Sequence, residues 1–320
     1  MNELSLLPYF LTLGATLSFS SASLIFARFS RSVSVLWMNT AKAFIAMALL
    51  IVTLPLLFWF QNRLGTWAPP SDLATGILLL SGFIGLGIGD LFLLDAFIRI
   101  GVSRTLMLYG FQPLVLGLAG AAFFDQAFDG RRLIAIVFLI GCLVIFSLEK
   151  YRESKSWEIR GLVMAIIGVS MDSAGVLLTR FAFESSPHTQ PLEGHLIRCF
   201  GALFAYACIA GFVHSRRLMS GSKETTPVIG LFSNFLRFDN SSRALILLGC
   251  FAGTYLSLCL YLTAIQIGHL ASISAISITG PMFAALLESV IHRKKPSRYL
   301  GLAFLFFICG FTILMIFRPQ

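Results

Sequence analysis

Charge is scarce in this chain: 12% of its 320 residues are Asp, Glu, Lys or Arg, against 57% hydrophobic, where a soluble domain carries roughly 25% charged residues. That deficit excludes a soluble catalytic domain. With 13% aromatic content it also excludes a disordered or nucleic-acid-wrapping chain, despite the net charge of +9. Catalytic and metal signatures are lacking as well. His188, His195, His214, His269 and His292 make no HExxH pattern. Cys142, Cys199, Cys208, Cys250, Cys259 and Cys309 form no CxxC, and neither GxSxG nor a Walker loop occurs. Zinc hydrolysis, serine proteolysis and ATP-driven pumping therefore have no basis, and no enzyme, cofactor or metal is expected. The cysteines all fall in apolar stretches and read as small packing residues. The start, MNELSLLPYF, has no positive n-region or A-x-A site, so the first apolar stretch is expected to stay as a helix.

What the chain has is long apolar runs. A membrane-spanning helix needs about 20 apolar residues, and ten stretches qualify: 5–26, 37–59, 73–97, 102–124, 133–148, 161–181, 194–214, 244–265, 270–291 and 299–317. Runs such as ALLIVTLPLLFWF are apolar on every face, which excludes the alternation of a membrane barrel. The fold class is an all-α integral membrane protein. Trp37 and Trp59 stand 22 residues apart at the ends of the second span, about 33 Å of helix, so they are expected to mark an aromatic belt at each interface.

The charged run Glu149–Arg160 sits at the centre and divides the chain into a first five-helix half, residues 1–148, a linker, 149–160, and a second half, 161–320. A second polar loop is expected over Ser215–Arg243, within which TTPVIGLFSNFLRF is either an interfacial segment or plain loop. Laid over one another, the halves share punctuation. Ala27-Arg28-Phe29 falls against Thr179-Arg180-Phe181, and Lys42-Ala43-Phe44 against Arg198-Cys199-Phe200. Ala96 to Pro113 and Ala264 to Pro281 are both seventeen residues, with Ile100-Gly101 and Ile267-Gly268 inside them, and Gly141 and Gly310 sit alike in the last spans. Five helices per half is odd, so the repeats are expected to be inverted, a construction that lets one midplane site face either side of a membrane.

The third span through Ala96, the fourth with its central Pro113, Asp125, and the second-half stretch AISITGPMFAALLE together resemble the EamA-like family of drug/metabolite transporters. The resemblance implies ten helices in two inverted repeats and secondary transport of a small organic metabolite, amino acid or drug-like solute. It departs from the family in one place. An acidic residue is usual about thirteen positions after the mid-helix proline. Asp125 is twelve after Pro113, whereas the second half has Lys294 there and Glu288 only seven after Pro281.

Charges inside a span face a cavity or a partner. Asp172 lies at the centre of the sixth span between Ser170 and Ser173; it reads as a proton carrier or solute anchor, or else as a buried carboxyl tying helices together. Its counterpart is Ser20. Lys42 and Arg198 are counterparts about 9 Å from the midplane on opposite sides, fit for paired gates, for snorkelling or for structural pairing. Asp90 ends GLGIGD, whose glycines sit in a membrane helix and allow close approach or local unwinding rather than nucleotide binding; it either pairs with Lys42 or lines the cavity. Asp95 and Arg99 are spaced for an ion pair on one helix face. Pro113 and Pro281, next to Gln112 and Gly280, are matched helix breaks that point to a midplane site. Tyr109, Ser274, Ser277, Thr279, Tyr255 and Ser257 are further candidates to line it, with plain packing as the alternative for each.

The implied partners are a small-molecule solute and the lipid bilayer, with no nucleic acid. The expected role is a secondary-active, proton-coupled transporter. An intramembrane enzyme acting on lipid or polyprenol substrates and a transport-dead structural or sensor protein are the alternatives. Seventeen of the 24 Lys and Arg fall on the side of the connections after the odd-numbered spans and five, Arg63, Arg131, Arg132, Arg180 and Arg318, on the side of the termini. The positive-inside rule then puts both termini outside an inner or plasma membrane, whereas the family resemblance implies termini in the cytoplasm.

Overall fold

The computed structural model describes residues 6–29, 32–60, 69–126, 130–154, 158–219, 235–291, 293 and 297–316. Among these, all regular structure is helical. Helix α1 covers Leu7–Phe29, α2 Val35–Phe60 and α3 Asp72–Ile100, the last with a π-helical segment at Gly82–Gly89. After Gly101 come α4, Val102–Met107, a 3-10 turn at Leu108–Phe111, α5, Gln112–Phe123, and α6, Gly130–Ser154. The same succession then recurs: α7, Ile159–Ser185; α8, Pro191–Met219; and α9, Asn240–Ile267, with a π segment at Phe251–Leu256. After Gly268 follow α10, Leu270–Ser277, a break at 278–279, α11, Gly280–Ile291, and α12, Arg298–Ile316.

Among the described residues, seven helices are long and apolar enough to cross a membrane, the seventh being the stretch Leu270–Leu287; Leu108–Phe123, Arg132–Cys142 and Arg298–Ile313 are shorter apolar helices. The chain is an integral, multi-pass membrane protein. Two helix starts show why boundaries fall where they do. Ser71 Oγ accepts the Ala74 amide at 3.2 Å and begins α3. Asp239 accepts the amides of Ser241 and Ser242 and begins α9, and these bonds, Ser242's first, hold its carboxyl below the usual carboxylate range. Gly101 takes φ +87, which lets the chain reverse between α3 and α4 where a side chain would be strained.

Helix α8 packs on the π segment of α3, α7 on α3, α1 on α9, and α6 on α12. The α3–α8 contact needs glycine on both sides: a Cβ on Gly82 would overlap the Arg198 carbonyl, and one on Gly201 the Leu79 carbonyl. Within GLGIGD, a Cβ on Gly87 would come 2.7 Å from the Ala205 Cβ, so these glycines combine a departure from α-helical winding with close helix approach. Two of the buried apolar clusters bear on the site described below. One joins Phe26, Trp37, Leu94, Phe97, Leu106 and Ile246. The other joins Leu116, Val176, Phe183, Leu262, Ile265 and Leu270.

Three expectations are corrected here. Trp37 is 1% exposed and packs in the first cluster near Phe238; it marks no lipid interface, because the short turn after α1 folds it inward, whereas Trp59 is 62% exposed. The charged stretch after the fifth span is not a loop throughout, since α6 continues helical to Ser154; Glu, Lys and Arg favour helix once past the apolar run. Likewise α8 extends to Met219, into the second polar loop. Residues 225–234 of TTPVIGLFSNFLRF, and Lys294, lie outside the described residues, as does the side chain of Glu288.

Candidate functional site

Helix α7 carries Asp172 at its midpoint, and α5 begins at Gln112 directly after the 3-10 turn. Pro113 at the second position of α5 suits a helix start, where its missing N–H leaves no bond unmade. This start aims Gln112, 2% exposed, across at α7, and its Nε2 donates to Asp172 Oδ2 at 3.1 Å. The register-matched contact lies between α1 and α11, where Ser20 Oγ donates to the Gly280 carbonyl at 3.0 Å. One contact joins an amide to a carboxylate, the other a hydroxyl to backbone.

A second charge cluster stands beside the first. Lys42 Nζ donates to Asp90 Oδ2 and Asn39 Oδ1, both at 2.8 Å, and lies 5.0 Å from the centre of the Phe26 ring. Asn39 Nδ2 donates to the Asp90 carbonyl at 3.3 Å. Asp90 follows the π segment and its amide returns to the Gly85 carbonyl, so the bulge sets where its carboxylate points. Lys42 is thus paired inside the protein and does not snorkel.

These groups line one cavity of about 100 Å³. Thr16 and Phe19 come from α1, Lys42 from α2, Leu86 and Asp90 from α3, Leu106 from α4, Tyr109 from the 3-10 turn and Gln112 from α5. Asp172 is supplied by α7, Thr254, Ser257, Leu258 and Tyr261 by α9, Ser277 by α10 and Gly280 by α11. Leu106 belongs to the first apolar cluster and Tyr261 packs on the second, so both clusters reach the cavity wall.

Of the sequence candidates, Asp172, Gln112, Asp90, Lys42, Tyr109 and Gly280 meet at this cavity, with Ser257 and Ser277. Six do not line it. Pro113 and Pro281 are buried neighbours that shape helix starts. Tyr255 stacks on Phe251 at 5.6 Å and packs near Ala46, Leu50 and Cys199. Arg198, 1% exposed, lies behind the wall next to Gly85; its Nε and Nη1 have no hydrogen-bond partner among the described residues. Its position-matched partner for Asp90 is Leu258, 168 residues on, so the second half lacks the acid that pairs Lys42 in the first. Ser274 and Thr279 bond local carbonyls, Leu270 and Ile276.

Sequence reasoning missed Thr16, Phe19, Leu86 and Tyr261. Tyr261 was legible, being one turn beyond Ser257 on the same face; Thr16, one turn before Ser20, likewise. Asp95 and Arg99 do pair, at 2.7 Å, and Arg99 also reaches Glu158 at 2.9 Å. Arg180 is held inside, donating to the Ile265 and Gln266 carbonyls and pairing with Glu184, so it caps the end of α9. Among the described residues no group of three His, Cys, Asp or Glu is placed to hold a metal.

The model of the EamA-like transporter family matches residues 6–148. Over that stretch the chain is similar to the EamA-like transporter family, of the drug/metabolite transporter superfamily. Members of this EamA-like family are in general transporters of small solutes rather than enzymes. A solved crystal structure superposes with a TM-score of 0.66 over 96% of each chain at 13% identity, which is a likeness of fold. No curated protein matches the sequence.

Proposed function

We propose that the protein is a secondary-active, proton-coupled transporter of a small organic metabolite, amino acid or drug-like solute, which binds in the central cavity and is carried by alternating access. The observation that carries this reading is the cavity itself: a charged, partly polar chamber among the membrane helices, with apolar clusters reaching its wall. Such clusters serve as gates when they open in turn.

Ten crossings follow when the three shorter apolar helices are counted with the seven long ones, and we read residues 1–148 and 161–320 as two inverted five-helix repeats joined through 149–160. Matched π segments in α3 and α9, matched breaks after Gly101 and Gly268, and the register-matched contacts Gln112–Asp172 and Ser20–Gly280 support this. Inverted halves meeting at a midplane site are the common architecture of alternating access. Asp172 is the coupling group in this reading, since a midplane carboxyl can load and release a proton between two faces. The chain resides in an inner or plasma membrane, with its termini outside by the charge balance.

Counterflow in proteoliposomes tests the function. Purified protein preloaded with a solute panel exchanges at least one labelled member. Conversion of a lipid or polyprenol substrate with no exchange across the panel points instead to an intramembrane enzyme, and neither activity to a transport-dead scaffold.

A further inference from the structure

Resting on the transporter reading, we infer that the solute is a protonated amine without a carboxylate, seated on Asp172 with its apolar body against Tyr109 and Tyr261.

Three charged side chains line the cavity, and two of them satisfy one another. Lys42 gives its hydrogens to Asp90 and Asn39 and faces the Phe26 ring. Asp172 differs. Gln112, its hydrogen-bond partner among the described residues, is a neutral amide and engages only Oδ2. An ionised carboxylate in an apolar wall is costly unless a charge and hydrogen bonds compensate it, and an ammonium group supplies both through a charge-assisted bond. Tyr109 and Tyr261 line the same cavity as Asp172, and aromatic faces attract cations within about 6 Å.

A carboxylate has no comparable seat. Lys42 is consumed. Arg198 is another buried cation, but it stands behind Gly85, is 1% exposed and does not line the cavity. An amino acid would therefore bring its carboxylate to a wall whose one uncompensated lining charge is also a carboxylate. An ammonium leaves each lining acid with one cation, Asp90 with Lys42 and Asp172 with the solute. The cavity has room for roughly seven to ten waters, the bulk of an arylalkylamine.

The test uses three probes with the same body: phenethylamine, phenylalanine and 3-phenylpropionate. Ligand-dependent shifts of the unfolding temperature are measured on the detergent-purified full chain, and counterflow on the same protein in liposomes. Phenethylamine should raise the unfolding temperature and exchange, with at least tenfold weaker apparent affinity for the other two. Asp172→Asn should remove the phenethylamine shift, Asp172→Glu should retain it, and lipid-facing Val137→Ala should leave it unchanged. Should Asp172→Asn fail to fold, the probe ranking and Asp172→Glu decide. Preference for phenylalanine or 3-phenylpropionate, or an undiminished phenethylamine shift in Asp172→Asn, overturns the inference while the transporter reading stands. Exchange of other solutes without any amine response does the same; absence of all exchange and binding overturns both.

Discussion

The amide of Gln112 donates to the carboxylate of Asp172 at 3.1 Å, linking the start of α5 to the middle of α7. The bond ties residues 60 positions apart and from different halves of the chain, at the wall of the central cavity. It holds one carboxylate oxygen without neutralising it, as a coupling group that changes proton occupancy requires.

Asp172→Asn keeps the size of the side chain and removes its ionisation. Gradient-driven accumulation should be abolished, read in proteoliposomes with and without an imposed pH difference. Unchanged pH-dependent accumulation would remove Asp172 from coupling.

Lys42 and Asp90 form a buried pair, so breaking it from one side leaves an uncompensated charge. Lys42→Met or Asp90→Leu alone should cost about 3–5 kcal/mol, and the double variant markedly less than the two single losses together. Thermal unfolding in detergent gives the cycle; additive losses would contradict the coupling of these side chains.

Bulk placed in the cavity should block it. A Cβ on Gly280 already comes 3.1 Å from Ser20 Oγ, so Gly280→Leu, and Gln112→Trp, should lower solute binding at least tenfold. Val137→Leu and Phe304→Leu, on positions 60% and 40% exposed, should change it less than twofold. Equal effects at all four positions would move the site elsewhere.

The apolar helices and the charged lining groups of the cavity were legible in the sequence because cost forces the pattern: a membrane helix must be apolar for about 20 residues, and an ionisable group within it must have a reason. Asp172, Asp90, Lys42 and Gln112 stand out on that ground alone. Three-dimensional detail did not. Glycines in GLGIGD announce a weak helix but not which way it departs, and the π segment decides where Asp90 points. Trp37 reads as an interface residue until the turn after α1 folds it inward. Pro113 and Pro281 mark the right region yet act through helix starts, leaving the lining to their neighbours. Arg198 matches Lys42 in register, but the replacement of an acid by Leu258 on a different helix gives it a different setting.

Orientation has its own measurement. A reporter fluorescent only in the cytoplasm should stay dark when fused after Gln320 and light up when inserted near Lys155, since the Lys and Arg excess lies on the latter side. The reverse would show that the orientation implied by the family resemblance prevails over the charges.

Alternating access of the cavity is the central claim, and labelling of Ser277→Cys tests it most directly. None of the native cysteines lines the cavity, so the wild type supplies the background for a membrane-impermeant thiol reagent applied to oriented vesicles. The account predicts added labelling when the reagent is on either side alone, with solute slowing both reactions. Labelling from one side only, insensitive to solute, would contradict it.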